Sequence, residues 1–193
     1  MAANPTRILV FAGSTRTGSL AARLAALAAK ELALADAEVT HISLADYPLP
    51  IYDGDLEDGD GVPDNATRLA RLLAAHDGVF IATPEYNHSL PPILKNALDW
   101  ISRIRSTGTL PYRHKVYALG GTSDGRIGGA RAIIDLRKVL ATAVRGIVIP
   151  ERIEVSMADS AFDESGAFVD EAPAKLLRSV AKALTDTARR LAG

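Results

Sequence analysis

The feature that most constrains the fold is an alternation of short apolar runs with longer segments of helical periodicity. Five runs rich in β-branched and aromatic residues are separated by segments whose apolar residues recur at three- and four-residue intervals. This order is typical of a parallel sheet that is covered by helices on both faces. The predicted strands span residues 7–13, 37–43, 78–84, 115–121 and 144–150.

The character of each run indicates where its strand lies in the sheet. Residues 78–84 and 115–121 are nearly continuous apolar runs, which suit central strands, whereas residues 37–43 alternate as an edge strand does. Right-handed crossovers permit two main strand orders, and five strands favour the flavodoxin-like order 2-1-3-4-5. The predicted helices span residues 19–35, 64–76, 91–103, 127–141 and 171–191, with Ser19 and Asp64 as candidate N-caps.

Length and composition indicate a single α/β domain over residues 1–193. Hydrophobic residues make up 48% of the chain, and no polar-rich linker interrupts it. The net charge of -1 provides no bulk field that would attract nucleic acid or an anionic membrane. The lack of cysteine excludes disulfides and thiolate metal sites. Because no apolar run could span a bilayer and the N-terminus lacks a signal-peptide pattern, we expect a cytoplasmic protein.

One long segment, residues 48–64, is too rich in Gly, Pro and Asp to be predicted as a helix. Its acidic residues Asp53, Asp55 and Asp58 resemble part of a calcium-binding loop. The fixed spacing and the closing Glu of such a loop are missing, however. We therefore predict a solvated surface loop without a metal.

Three unusual stretches follow the first, third and fourth predicted strands. They are GSTRTGS at residues 13–19, PEYNHSLPP at residues 84–92 and GGTSDGRIGG at residues 120–129. In a doubly wound sheet, ligands bind outside the carboxyl ends of the strands, where the strand order reverses. The positions of these stretches therefore predict one binding site at that edge.

The first stretch is similar to a phosphate-binding loop without the parts that cleave a phosphate. Its glycines have the Walker spacing, but Ser19 and Leu20 occupy the places of the Lys and the Ser or Thr. Thr15 replaces the second glycine of the dinucleotide fingerprint. Hydroxyl groups, Arg16 and a helix N-terminus together suit a phosphate monoester, although a capped strand-to-helix turn would contain the same residues.

The other two stretches suit a flat ring. Residues 84–87 offer a rigid turn and exposed amides, and Tyr86 can either stack on a heteroaromatic ring or pack at an interface. Glu85 has no evident partner for acid or base chemistry, so we predict a role in loop or interface architecture. His88 is predicted to lie on the surface. The glycines of the third stretch let its backbone approach a ligand, to which Ser123 and Arg126 add polar contacts, although a flexible connection between strand and helix would also contain glycines.

These stretches together resemble the NAD(P)H-dependent FMN reductases of the flavodoxin-like fold, a family that includes quinone- and chromate-reducing members. Residues 13–19 are similar to the family's GSxRxxS signature. The chain resembles the family at three further segments: LPIYDGDLE at 49–57, TPEYNHSLPPILKNALDWIS at 83–102 and TSDGRIGGAR at 122–131. The matches keep the family's order over nearly the whole chain.

The resemblance implies an enzyme, an FMN-dependent NAD(P)H oxidoreductase. Hydride would pass from NADPH or NADH to bound FMN, and then to a small-molecule acceptor such as free flavin or a quinone. No side chain is implied as catalytic, and no metal is implied. The implied cofactor-binding residues are Ser14, Arg16, Ser19 and Leu20 near the phosphate, Pro84, Glu85, Tyr86 and Asn87 along the isoalloxazine, and Thr122, Ser123 and Gly125 on its other side or at the ribityl chain.

The resemblance also implies a homodimer or homotetramer. The segment through which family members pair is similar to the helix that bears Lys95, Asn96, Asp99 and Trp100. An exposed Trp100 would fit that role, whereas a buried Trp100 would be a core residue. Family members often have Asn where this chain has Ala21. The resemblance therefore implies one polar cofactor contact fewer here.

Two other classes of function share parts of this pattern. A flavodoxin-type electron carrier without enzyme activity would use the same site, but such carriers are generally strongly acidic, and the net charge of -1 argues against one. A nucleotide hydrolase or kinase is disfavoured by the missing P-loop Lys. The sequence leaves the physiological acceptor and the choice between NADPH and NADH open.

Overall fold

The computed structural model describes residues 5–104 and 115–192, and its centre is a five-stranded parallel sheet. The sheet order β2-β1-β3-β4-β5 confirms the predicted topology. Residues 1–4, which belong to the stretch interpreted as lacking a signal peptide, lie outside the described residues. The strands are β1 (Thr6–Ala12), β2 (Ala37–Ser43), β3 (Gly78–Pro84), β4 (Val116–Thr122) and β5 (Ile147–Val155).

Six α-helices connect or cover these strands within the described residues. Ser19 caps the first helix as predicted, because its Oγ accepts a hydrogen bond of 3.3 Å from the Ala22 amide. Asp64 is not an N-cap: it is the first residue of its helix, and Pro63 holds the cap position without a side-chain bond. The helices are α1 (Leu20–Leu34), α2 (Gly54–Asp60), α3 (Asp64–Ala75), α4 (Pro92–Ser102), α5 (Ala130–Lys138) and α6 (Glu171–Ala192), and a π-helical turn, Val139–Ala143, extends α5.

The sheet is buried on both faces, as its apolar strands require. Alternate residues of β1 point to opposite sides: Ile8 and Val10 pack with α1 and α6, whereas Leu9 and Phe11 pack with α3, α4 and α5. The two central strands, β3 and β4, are buried along nearly their whole length. This packing fixes the carboxyl ends of β1, β3 and β4 side by side.

The prediction that residues 48–64 contain no helix is wrong, because α2 forms within them. Asp53 caps α2 by accepting a hydrogen bond of 2.9 Å from the Asp55 amide. Acidic residues in the first turn also interact favourably with the helix dipole. The abundance of aspartate, which argued against a helix interior, is therefore used at the helix start.

The same segment is fastened to α4, which explains the position of Trp100. The Trp100 indole N–H and the Asn96 amide both donate to the Pro50 carbonyl at 2.8 Å, and Arg103 forms an ion pair with Glu57 at 2.7 Å. Trp100 is fully buried. Of the two alternatives for Trp100, an exposed interface residue and a buried core residue, the structure shows the buried one, and the side chain fixes a neighbouring segment.

Strand β5 continues to Val155, past its predicted end at Pro150. Proline has no amide hydrogen and normally ends a ladder, but here it lies where the pairing register with β4 shifts. The Arg137 guanidinium donates to the carbonyls of Val148 and Ile149 at 3.0 and 2.8 Å. A distant side chain therefore satisfies carbonyls beside the irregularity, and the strand resumes beyond the proline.

Candidate functional site

The three predicted loops meet at the carboxyl edge of the sheet around one open cleft of about 230 Å³. The cleft adjoins β1, β3 and β4, where the strand order reverses. Every predicted site residue except Asn87 lines it. The lining residues are Ser14, Arg16, Ser19, Leu20 and Ala21 from the first loop and α1, Pro84, Glu85 and Tyr86 from the second loop, and Thr122, Ser123, Asp124 and Gly125 from the third.

The first loop lies close to the sheet and to the start of α4. The Gly13 amide donates to the Ala82 carbonyl at 2.8 Å. A Cβ atom at Gly13 would lie 2.9 Å from Leu94 Cδ2, closer than carbon atoms normally approach. Glycine at this position therefore allows the loop to turn directly above the core.

The start of α1 presents hydrogen-bond donors to the cleft. Ser19 occupies its own helix cap, but no group among the described residues accepts a hydrogen bond from the amides of Leu20 and Ala21. The Arg16 guanidinium likewise has no partner in the part of the chain that the structure describes. Because the helix dipole places partial positive charge at this end, the arrangement suits an anion.

The start of α5, by contrast, is closed by Glu85. One carboxylate oxygen, Oε2, accepts hydrogen bonds from the amides of Arg131 and Ala132 at 3.0 and 3.4 Å. The other, Oε1, accepts from Arg131 Nη1 at 3.3 Å. The side chain is only 7% exposed. Glu85 is thus a helix cap supplied by another loop, in agreement with its predicted role in loop architecture.

These bonds also determine the charge of Glu85. Burial raises the pKa of the Glu85 carboxyl, but the backbone amides of Arg131 and Ala132 and the side chains of Arg131 and His88 together lower it by more. The net pKa lies below the usual glutamate value, so the group is ionised at neutral pH. A carboxylate held in this way is a poor proton donor.

Tyr86 is presented by a tight turn. Its amide and carbonyl both pair with Ser89 at 3.0 Å, and Asn87 and His88 between them have φ of 49° and 66°. Two positive φ angles are typical of a type I′ turn. Tyr86 lines the cleft and is 44% exposed, and His88 is exposed as predicted. Asn87 takes a turn position instead, and its contact with a cofactor stays a prediction.

The third loop needs its glycines because backbone packs on backbone. A Cβ atom at Gly121 would lie 2.7 Å from the Gly128 carbonyl oxygen, and one at Gly129 would lie 2.8 Å from the Thr122 amide nitrogen. The loop is also held by the segment after β5, since the amide of Ala158 donates to the Ser123 carbonyl at 3.1 Å. This wall of the cleft is therefore fixed largely by main-chain contacts.

Sequence reasoning missed Asp124 as a lining residue, and it assigned no role to Arg131. Asp124 lies within a loop that had been singled out, so position alone could have found it. Arg131 lies 46 residues from Glu85, and no local pattern connects the two. Only the packing of α5 beside the second loop reveals their contact.

The described residues contain neither a cluster of metal-ligating side chains nor a candidate membrane-spanning helix. Within residues 5–104 and 115–192, no group of three or more His, Asp or Glu side chains is arranged to hold a metal ion. None of the helices in the same ranges combines the length and the apolar character that crossing a membrane requires.

Comparisons with known proteins agree with this architecture. A profile of the family described as NADPH-dependent FMN reductase matches residues 6–160. An NAD(P)H-dependent FMN reductase from Pseudomonas aeruginosa is 36% identical over 189 residues, which cover 97% of each chain. A quinone reductase from Escherichia coli K12 is 40% identical over 135 residues, 69% of each chain.

The structural comparison extends the likeness to three dimensions. FerB, a flavoenzyme NAD(P)H:acceptor oxidoreductase from Paracoccus denitrificans, superimposes with a TM-score of 0.80 at 30% identity, covering 96% of this chain and 98% of that one. The likeness therefore extends over nearly the whole length of both chains. The chain belongs to the NADPH-dependent FMN reductase family and is an FMN-dependent NAD(P)H oxidoreductase.

Proposed function

We propose that the cleft is the FMN site of this oxidoreductase and that its acceptors are small molecules of the flavin or quinone class. The observation that carries the assignment is the difference between the two helix starts at the cleft. Donors at the start of α1 are open, whereas those at the start of α5 are taken by Glu85. The phosphate of FMN therefore belongs at α1.

The residues at that end fit a phosphate monoester. Ser14 and Ser19 are nearly buried at the base of the loop, and Arg16 stands beside them without a competing carboxylate among the described residues. Amide donors and a guanidinium form charge-assisted hydrogen bonds with phosphate oxygens. Nothing in this set could activate a group for attack on phosphorus, so the loop would hold a phosphate without cleaving it.

The rest of the cleft fits a flat heteroaromatic ring. Pro84 and Tyr86 offer apolar surface on one side, and the backbone of residues 122–125 offers hydrogen-bonding groups on the other. When bound, FMN supplies the hydride- and electron-transfer chemistry, and the protein positions the cofactor and controls access to it. At about 230 Å³ the cleft is smaller than the roughly 300–1,000 Å³ of typical enclosed ligand pockets. FMN bound in this cleft would therefore stay partly exposed, so that NAD(P)H and the acceptor could reach it.

The names of similar proteins support the acceptor class. The relative from Pseudomonas aeruginosa is named an FMN reductase, and the relative from Escherichia coli is named a quinone reductase. We therefore propose that both classes are accepted.

We also propose that the protein is a cytoplasmic homodimer or homotetramer. Exposed apolar side chains in the third loop and on α5 support self-association: Ile127 is 44% exposed and Ile134 is 59% exposed. Analytical ultracentrifugation of the full chain tests the oligomeric state, and cell fractionation tests the location. A monomer at micromolar concentration would contradict the proposed oligomeric state.

The test of the cofactor assignment uses FMN and riboflavin side by side. Flavin fluorescence titrations of the purified chain are expected to show tighter binding of FMN, because riboflavin lacks the phosphate that α1 would hold. NADPH oxidation with a quinone is expected only when FMN is present. A chain that binds neither flavin, or that binds both equally, would overturn the assignment.

A further inference from the structure

We propose that Glu85, Ser89, Arg131 and Asp135 form a clamp that positions the second loop against α5 and so sets how tightly the cleft holds FMN. The clamp itself is independent of the cofactor, whereas its effect on FMN rests on the proposed function. Glu85 acts here as a positioning residue, because its carboxylate contacts α5.

The first half of the clamp joins the beginning of the second loop to the first turn of α5. Glu85 accepts hydrogen bonds from the amides of Arg131 and Ala132 and from the Arg131 guanidinium, at 3.0 to 3.4 Å. Two of these bonds go to backbone groups that would otherwise lack partners at the helix start. Loss of the carboxylate would therefore leave both the loop and the helix less fixed.

The second half joins the end of the same loop to α5 one turn later. Ser89 Oγ donates to Asp135 Oδ2 at 2.6 Å. Arg131 and Asp135 are four residues apart, so they lie on the same face of the helix. The hydrogen bond from Ser89 and the ion pair with Lys138 lower the pKa of the Asp135 carboxyl in spite of its partial burial.

Between these two attachments the loop has a conformation that needs support. Asn87 and His88 both have a positive φ, a backbone conformation that residues other than glycine adopt at a cost in free energy. His88 Nδ1 lies 2.8 Å from Arg131 Nη1 and 3.5 Å from Glu85 Oε1. This nitrogen accepts a hydrogen bond from Arg131 when it carries no proton, and it pairs with Glu85 when it does. The turn that presents Tyr86 is thus held at its start, at its middle and at its end by one face of α5.

The clamp joins two walls of the cleft into one unit. Glu85 and Tyr86 belong to the wall formed by the second loop, and α5 continues directly from the glycine loop that forms the other wall. The clamp would therefore fix the distance between the two walls before a flavin ring binds between them. Preorganisation of this kind strengthens binding because less ordering is needed when the ligand arrives.

The experiment compares Glu85→Gln, Glu85→Ala and Arg131→Ala with the unchanged chain. Glu171→Gln is the matched control, because Glu171 also begins a helix and pairs with an arginine, Arg178, but lies at the exposed start of α6. Amide hydrogen exchange at residues 131 and 132, measured without FMN, reports the clamp directly. Fluorescence titration with FMN reports its effect on the cleft.

We expect faster exchange at residues 131 and 132 in Glu85→Ala, a smaller change in Glu85→Gln, and none in Glu171→Gln. FMN affinity is expected to fall about tenfold in Glu85→Ala, since bonds to a charged group are lost. Arg131→Ala keeps the backbone bonds, so its exchange should change less while its affinity still falls.

Unchanged exchange in Glu85→Ala would overturn the clamp. Faster exchange with unchanged FMN affinity would overturn its role in the cleft. If the unchanged chain fails to bind FMN, the proposed function fails, and the exchange data still decide whether the clamp exists.

Discussion

Two helices begin at the cleft, and their first turns are satisfied in opposite ways. At α1 the amides of Leu20 and Ala21 have no acceptor among the described residues, and the only side-chain cap is the neighbouring Ser19. At α5 the amides of residues 130–133 are all paired, two of them with Glu85 and the others with carbonyls of the preceding loop. Both helices direct the positive end of their dipole toward the cleft, but of the two only α1 has amides, unpaired within the described residues, with which a ligand can form hydrogen bonds.

The comparison shows that a helix dipole alone does not make an anion site. Glu85 is in effect an anion already bound at α5, supplied by the protein itself. A phosphate entering the cleft therefore has one favourable end, and this gives the bound cofactor a direction. The four predictions below would break or sharpen the contrast, and they are ordered from the largest expected effect to the smallest.

The most disruptive change is Gly129→Ala, which alters the residue that precedes α5. Gly129 has φ of +83°, and a Cβ atom there would lie 2.8 Å from the Thr122 amide nitrogen. We expect a loss of about 3 kcal/mol or more in the free energy of unfolding, from backbone strain and steric overlap together. Urea unfolding measures it.

A matched control separates strain from overlap. Gly166 has nearly the same φ, +82°, but nothing lies within 4 Å of its Cβ position. Gly166→Ala should therefore cost only about 1–2 kcal/mol, the usual penalty for a left-handed alanine. Equal losses in the two variants would show that the close packing at Gly129 is unimportant.

Arg16→Ala would remove the charged side chain at the open helix start. We expect FMN binding to weaken roughly 10- to 100-fold, because hydrogen bonds between charged groups contribute about 1.5–3 kcal/mol. Riboflavin binding should be unaffected. Arg23→Ala is the control, since Arg23 is exposed, lies one turn along α1 and has no described partner. A similar loss for riboflavin would contradict a role at the phosphate.

Ser19→Ala would remove the cap of α1 without altering the cap of α5. The Ser19 hydroxyl accepts the Ala22 amide, so we expect a loss of about 1 kcal/mol in the free energy of unfolding, typical of a deleted cap. FMN should also bind less tightly if the hydroxyl contacts the phosphate. An unchanged urea midpoint would show that the cap contributes nothing.

The smallest effect is a pH dependence that originates at α5. The folded-state pKa of Glu85 lies below its unfolded value, so its contribution to stability is fully present above the unfolded pKa. That contribution disappears as the pH falls through the lowered folded-state pKa. The stability difference between the unchanged chain and Glu85→Gln should therefore be largest near neutral pH and vanish in acid. A difference that is constant over this range would contradict the assignment.

The sequence was sufficient wherever the controlling interaction is local. Alternating periodicities and right-handed crossovers reduce the strand order to two main possibilities, of which five strands favour the observed one. The Ser19 cap follows from a hydroxyl placed directly before an apolar helix. The three loops could be placed around one cleft because parallel strands bring their carboxyl ends to one edge. Their residues, from Ser14 to Gly125, needed no knowledge of tertiary contacts.

The remainder depends on partners that are far apart in the chain. The segment before α2 is fastened by Trp100 of α4, and α2 itself is held by an ion pair between Glu57 and Arg103. Arg137 satisfies carbonyls beside the Pro150 irregularity in β5, and Glu85 binds α5. Propensity and spacing describe each of these residues alone. Neither property predicts a hydrogen bond to a backbone carbonyl or amide that lies 11 to 50 residues away in the chain, because only folding brings the two groups together.

The burial of Trp100 has a practical consequence. It is the chain's single tryptophan, its ring is fully buried, and its N–H is bonded to the Pro50 carbonyl. The tryptophan fluorescence of the protein therefore has one origin, and its emission reports whether the segment of residues 48–64 is docked on α4. Unfolding or undocking would shift that emission to longer wavelength, so the molecule contains its own optical sensor of this contact.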